Sequence, residues 1–335
     1  MKRIAETRSG SGISAISVPD GEEEGYVAIF KDGEKRKLKE ERAGVESWHE
    51  IFPGLAPRIL SYKKRGQSAA LLIEHLAGLT FEQILLHEPP ALVKQTLNQL
   101  GKTVGSIWKE TRSDTPVSAD FMRQLSRRLD EVYAIHPEFR QSNSTICGYA
   151  APSFDDLLLR ASDYEAGVEA PFSVYIHGDF SVDNIIYDPL ESKINYIDLH
   201  RSCYMDYVQD VSVFMVSNYR LQLLDKQLRK RILGVIRDFY RITRVFARKT
   251  GDGTFELRLA LGLARSFVTS TRFILDKSLA RAMFLRARYL IDEQVYLDAL
   301  EGVRIYEARG RADFDGLTGI FLDAVSGATY RNKRS

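Results

Sequence analysis

The stretch VYIHGDFSVDNIIYDPLESKINYIDLH, residues 174 to 200, decides how this chain is read. Its start is a short β-rich run that ends just before His177, and NIIYD begins another after the intervening loop. PLES carries the proline and polar residues of a turn, and KINYID returns as a further strand. Asn184 and Asp198 are thereby placed at the open ends of a hairpin, where they converge across two strands. Asp179 lies on the loop just before Asn184. Two carboxylates and an amide oxygen brought together suit Mg²⁺, a hard cation that prefers oxygen ligands and retains some water. A carboxylate in that place can also accept a hydroxyl proton as a nucleophile forms. The competing reading is an ordinary surface hairpin with a polar loop.

These are the parts of a phosphoryl-transfer site. The catalytic loop of protein kinases reads His-x-Asp, four residues, then Asn, with a metal-binding Asp on a following strand. Here the match is His177-Gly178-Asp179, Asn184 and then Asp198. With HGDFSVDN, IDLH and MDYVQD together, the chain resembles the aminoglycoside phosphotransferase and choline kinase-like family, which has a protein-kinase-like fold. Gly178 follows that family rather than eukaryotic protein kinases, which carry Arg there. The resemblance implies an ATP- and Mg²⁺-dependent kinase in which Asp179 is the catalytic base and Asn184 and Asp198 are the metal ligands. His177 would organise the loop. It also sets Asp206 and Asp210 where family members have a Gly-Asp-Pro-like turn and a buried Asp, the latter holding the catalytic loop through backbone hydrogen bonds. Read as a residue, Asp210 is equally a helix N-cap ahead of VSVFMV, and the two roles are compatible.

The N-terminal part supplies what a nucleotide site needs, in the expected order. RSGSGISA offers Gly10 and Gly12 before a strand, where glycine lets backbone amides approach phosphate; Ser9, Ser11 and Ser14 are further donors. It departs from the kinase G-x-G-x-x-G, because Ala15 stands where the third glycine would fall. In YVAIFK, alternation puts Val27, Ile29 and Lys31 on one face. By resemblance, Lys31 reaches the ATP phosphates and Ile29 roofs the adenine. Leu38, Glu41, Val45 and Trp48 then recur at helical spacing, and Pro53 and Gly54 close that helix. Glu41 is the candidate to orient Lys31, since family members carry apolar residues four and seven positions after that Glu; Glu40 and Glu46 are alternatives. PRILSYKKRGQSAALLIEHL reads as two strands around a turn. AALLIEHLAGLTFEQIL resembles the family hinge, with Glu74 and Leu76 offering backbone groups to adenine.

The expected architecture is α+β and bilobal. Residues 1–76 would form a small antiparallel-sheet nucleotide-binding lobe with one main helix and the hinge, and residues 77–335 a larger helical lobe with the catalytic loop and acceptor site. Helical periodicity resumes after Thr80 and is clear around Leu221–Ala247, Phe255–Leu275 and Leu279–Leu300. Residues 113–170 read as mixed polar segments with loops at HPEF and SNSTICGYAAPSF.

Composition excludes more than it assigns. The net charge of +2 defines no partner, and two cysteines without CxxC spacing argue against a disulfide framework or zinc site. No apolar run approaches the ~18 residues of a membrane span. Residues 1–19 lack a secretory apolar region, so a cytoplasmic setting is expected. Nothing sets an oligomeric state.

The residues after Asp198 narrow the acceptor. MDYVQD arrives almost at once, which leaves no room for the peptide-docking activation segment of protein kinases. A small-molecule hydroxyl is favoured over a protein. In the family the C-terminal helices line the acceptor pocket, and here they carry far more Arg and Lys than Asp and Glu. His200 and Arg201 stand where many relatives have an acid. That balance points to a neutral or anionic acceptor such as a sugar, rather than an aminoglycoside or amino alcohol. Basic helix faces read equally as solvated surface. A nucleic-acid partner is disfavoured by the absence of stacking aromatics on a recognised module. An ATP-binding pseudokinase and an atypical protein kinase are the remaining readings.

Overall fold

In a computed structural model of the protein, residues 2–6, 12–17, 26–146, 149–221 and 225–292 are described. Gly10, Ser11 and the expected helix beyond residue 292 lie outside them. The N-terminal strands are β1 (Lys2–Glu6), β2 (Gly12–Ser17), β3 (Tyr26–Glu34), β4 (Ile59–Arg65) and β5 (Ser68–Glu74). They pair antiparallel in the order β1-β2-β3-β5-β4. β1 is the strand the sequence does not announce, since KRIAE sets its two apolar residues side by side without alternation.

Helix α1 (Lys35–Ile51) follows β3 directly and buries Leu38, Glu41, Gly44, Val45 and Trp48, a single face by their three- and four-residue spacing. Leu38 joins Ala69, Leu71 and Ile73 in a core cluster on which Ile29, Ile59 and Tyr62 pack. Lys31, two residues beyond Ile29, shares that strand face. The sheet and α1 together therefore aim a lysine at a helix face carrying a glutamate.

Onward come β6 (Leu79–Thr80), α2 (Phe81–His87), α3 (Pro90–Glu110), α4 (Phe121–Ile135), β7 (Ser144–Ile146), β8 (Tyr149–Ala151) and α5 (Phe154–Glu165). After them come β9 (Val174–Ile176), β10 (Ile185–Asp188), β11 (Lys193–Tyr196), β12 (Cys203–Met205), α6 (Val208–Tyr219), α7 (Lys226–Lys249), α8 (Phe255–Ser270) and α9 (Lys277–Leu290). An antiparallel-sheet N-terminal region followed by a mostly helical remainder is the α+β class expected. No helix among the described residues is long and apolar enough to cross a membrane.

Compactness divides the chain differently from a single boundary after residue 76. Residues up to Ser113 with Val174–Tyr204 form one unit, and Asp114–Ser173 with the residues from Met205 form the other. The physical reason is pairing. β10 sits between β11 and β6, and α3 packs on β9 and β11, so the hairpin and α3 share contacts with the sheet-bearing unit.

In the second unit, residues 113–170, read as mixed polar segments with loops at HPEF and SNSTICGYAAPSF, hold two helices. α4 buries Phe121, Met122, Leu125, Leu129, Val132 and Tyr133. Its first amides are capped from α5, where the Glu165 carboxylate accepts from Phe121 and Met122. HPEF contains a single 3₁₀ turn and SNSTICGYAAPSF the short β7–β8 hairpin. α7 begins only after Asp225, whose side chain caps Leu228 at 2.7 Å, and α9 begins after the equivalent cap by Asp276. On α7 the cations Lys226, Lys230, Arg237, Arg241 and Arg248 are exposed. Arg241 and Arg244 are engaged by Asp238 and Glu256.

Candidate active site

The β10–β11 hairpin brings the metal-type ligands together. Ile185 pairs with Tyr196, and beyond that rung the Ile197 amide donates to the Asn184 carbonyl at 3.1 Å. Asp198 comes immediately after, in a left-handed conformation at φ 61°. The Asn184 side chain donates through Nδ2 to the Asp179 carbonyl at 2.9 Å. Its Oδ1 is thus the acceptor end left to a cation. Asp198 carboxylate and Asn184 Oδ1 are both hard oxygen donors, so the pair fits Mg²⁺.

His177 is buried and ties the loop to the strand carrying Asp198. Its Nε2 donates to the Ile197 carbonyl at 2.9 Å, and its Nδ1 accepts from the Asp179 amide at 3.2 Å. Those two bonds define the Nε2–H tautomer of a neutral ring. Burial pushes its pKa down despite the nearby Asp179 and Asp198 charges.

Two glycines permit the close approaches that assemble the site. A Cβ on Gly178, at φ 81°, would lie 2.3 Å from the Arg201 carbonyl oxygen. One on Gly44 would lie 2.0 Å from that of Leu199. The segment after Asp198 therefore runs between α1 and the HGD loop at backbone contact. Trp48 Nε1 donates to Ser202 Oγ at 2.8 Å, and Ser202 Oγ donates to the His177 carbonyl at 3.2 Å.

Lys31 Nζ stands 2.9 Å from Glu41 Oε1 and 3.8 Å from Asp198 Oδ1. Of the three candidate glutamates only Glu41 is buried. Glu40 and Glu46 are turned outward to Arg36 and Arg42. Burial by itself lowers the Lys31 pKa, but Glu41 and Asp198 more than offset it and the net shift is upward. Burial would raise the Asp198 carboxyl; contact with His200 and the Lys31 charge instead hold it far below the usual carboxylate range. The ammonium thus stays charged beside a carboxylate that stays ionised.

His200 and Arg201 point in different directions. His200 turns inward, with Nδ1 3.5 Å from Asp198 Oδ1 and 3.8 Å from Glu41 Oε2. Arg201 Nε donates to His200 Nε2 at 3.2 Å, which makes Nδ1 the protonated nitrogen facing the two carboxylates. Glu41, Asp198 and His200 have ligand atoms within 4.8 Å of one another. With Nδ1 a donor, His200 offers that cluster no lone pair, and Lys31 offsets one of its two carboxylate charges. Arg201 turns outward, its Nη1 3.4 Å from Asp179 Oδ2.

The remaining expected residues take more ordinary places. Gly12 opens β2 opposite Asp32 of β3. Ile29 packs in the core between sheet and α1. The Glu74 amide is taken by the Arg58 carbonyl at 3.0 Å, its carboxylate by the Arg58 side chain, and Leu76 lies just past the strand's end. Asp206 is fully buried and accepts from the Val208 amide at 3.0 Å. Asp210 lies within the first turn of α6, so the helix is capped from Asp206 and not, as the N-cap reading had it, from Asp210. A cap must precede the first helical amides, and Asp210 comes after them. Gly44, the Trp48 indole and Ser202 were not singled out for function by the sequence. A glycine inside a helical pattern was the available signal for the first; Ser202 had none.

The chain matches the model of the phosphotransferase enzyme family (APH) over residues 27–240. No curated protein matches it. Among solved structures it is similar to a Streptomyces rimosus aminoglycoside phosphotransferase, APH(3'')-Id, in complex with ADP and streptomycin. The identity is 17% and the TM-score 0.52, over 79% of this chain and 92% of that one. A Plasmodium vivax ethanolamine kinase aligns at 12% identity and TM-score 0.49, over 88% and 82% of the two chains. A glucosamine kinase aligns at 16% and 0.48, over 85% and 78%. At 17% identity the likeness to the Streptomyces rimosus structure is one of fold.

Proposed function

This chain belongs to the phosphotransferase enzyme family, and we propose that it moves the γ-phosphoryl group of ATP to a hydroxyl of a small, neutral or anionic molecule such as a sugar. The observation that carries this reading is the buried Lys31–Glu41 pair with Asp198 at 3.8 Å. It is a fixed cation beside an ionised acid, at the end of the hairpin that also carries Asn184. The ADP in the Streptomyces rimosus structure supports an adenine nucleotide as donor.

In the proposed reaction the bond between the β–γ bridging oxygen and the γ-phosphorus breaks, and one forms from the acceptor oxygen. The hydroxyl proton passes to the Asp179 carboxylate, and ADP leaves. Lys31, held straight by Glu41, neutralises phosphate charge without needing to reorganise. His177 and Asn184 fix the backbone on both sides of Asp179, so the base is positioned rather than searching. Asp198 and Asn184 Oδ1 would hold Mg²⁺, which supplies charge neutralisation at the transferring phosphates.

The test is an acceptor screen with Asp179→Asn as control. General-base loss should lower turnover by about 10²–10⁴-fold with the melting temperature unchanged; full retention of activity refutes the assignment. Nucleotide binding without transfer or phosphate release across the whole panel would instead identify a scaffold. Turnover confined to aminoglycosides or amino alcohols would overturn the acceptor class.

A further inference from the structure

We infer that Arg201 selects the acceptor, and that it selects one bearing an anionic group close to the hydroxyl that is phosphorylated; this rests on the kinase reading above. Residue 201 is fixed in place, because its carbonyl lies where a Cβ on Gly178 would be, 2.3 Å away. Its guanidinium reaches two neighbours. Nε donates to His200 Nε2 at 3.2 Å, and Nη1 stands 3.4 Å from Asp179 Oδ2. His200 is itself turned inward, so it props the guanidinium from below. The Arg201 side chain is 54% exposed. A guanidinium has five N–H donors, and these two contacts leave most of them facing outward.

The contact with Asp179 is built to be exchanged. Its 3.4 Å separation is longer than a tight charge-assisted hydrogen bond, and half-exposed ion pairs hold weakly. A cation beside the catalytic base also offsets the negative charge that would otherwise meet the acceptor there. A polycationic acceptor meets repulsion there. A neutral one has to part Arg201 from Asp179 with nothing to replace the pairing. An acceptor with a phosphate or carboxylate gives the planar fork a second anion to grip and releases Asp179 Oδ2 to take the hydroxyl proton. Recognition of the acceptor and release of the base become one event.

The test uses the full chain saturated with ADP and titrated calorimetrically with glycerol 3-phosphate, glycerate and glycerol. Wild type should bind at least one of the two anions more tightly than glycerol by about tenfold or more, as hydrogen bonds to a charged group allow. Which anion gains most distinguishes phosphate from carboxylate. Arg201→Met should lose the difference, and Arg201→Lys should keep only part of it, since an ammonium lacks the fork. In turnover, Arg201→Met should raise KM for anionic acceptors by a larger factor than for neutral ones. Equal binding of all three probes by wild type, or an anion preference that survives in Arg201→Met, overturns the inference. Absence of ATP turnover by wild type across the whole acceptor panel would overturn the kinase reading instead and leave these binding results standing.

Discussion

Among the described residues, two buried cations are each held by two carboxylates, one in each compact unit, and they are built to different standards of closure. In the helical unit, Arg258 is 2% exposed and touches the carboxylates of Asp206 and Asp252, both fully buried. Tyr207 donates to Asp252 at 2.6 Å, and Arg258 Nε donates to Thr254 Oγ1 at 3.1 Å. Phe172, Tyr207 and Phe255 stack in a row around it. Burial raises the Asp206 carboxyl even against the Arg258 charge. In the sheet-bearing unit, Lys31 makes one short contact to Glu41 and one loose contact to Asp198, whose side chain is 27% exposed. The closed cluster has spent its cation on the fold. The open one keeps an acid accessible and a cation with capacity to spare, which is what a site for charged ligands requires.

That contrast can be broken by mutation, and the largest effect should come from the closed cluster. Arg258→Met strands two buried aspartates and should cost about 3–5 kcal/mol of stability, read by denaturant unfolding. A loss below about 1 kcal/mol would mean the cluster is wetter than its burial implies. In the open cluster the double variant Lys31→Met/Glu41→Leu removes both members of a buried pair, which is close to neutral for stability. Its activity should still fall by about 10²–10³-fold, the usual effect of losing one preorganised charge. Finding the reverse, an active but unfolding double variant, would show that this pair too is structural. Smallest is Gly44→Ala. Its methyl would meet the Leu199 carbonyl at 2.0 Å, and overpacking of that kind costs about 1–3 kcal/mol. Because Leu199 adjoins Asp198, activity should drop further than stability, and equal losses would sink that link.

Much of the site could be read in the chain. His177, Asp179, Asn184 and Asp198 lie within one hairpin, where loop and strand periodicity fix which ends meet. The sheet strands around Lys31 and the face of α1 were legible for the same reason, their alternation and three-to-four spacing. Helix α4 was not, because it takes its cap from Glu165, forty-four residues from Phe121, rather than from its own flank. A cap delivered from another helix leaves no local start signal. The start of α7 moved for a milder reason: apolar spacing in the sequence begins at Leu221, ahead of the Asp225 cap that sets where the helix begins.

The sequence by itself determined the residue types and their order: glycine turn, lysine, glutamate helix, hinge, HGD loop, asparagine, aspartate. Phosphoryl transfer needs these chemical groups, and short-range geometry is encoded in short-range spacing. Only the tertiary structure decided between neighbours. It chose Glu41 over Glu40 and Glu46, since one helical face alone is turned to the strand bearing Lys31. It turned His200 in and Arg201 out, because the segment is clamped at Leu199 by Gly44 and at Arg201 by Gly178. Directions of that kind come from backbones packed across long stretches of chain, and no local pattern carries them.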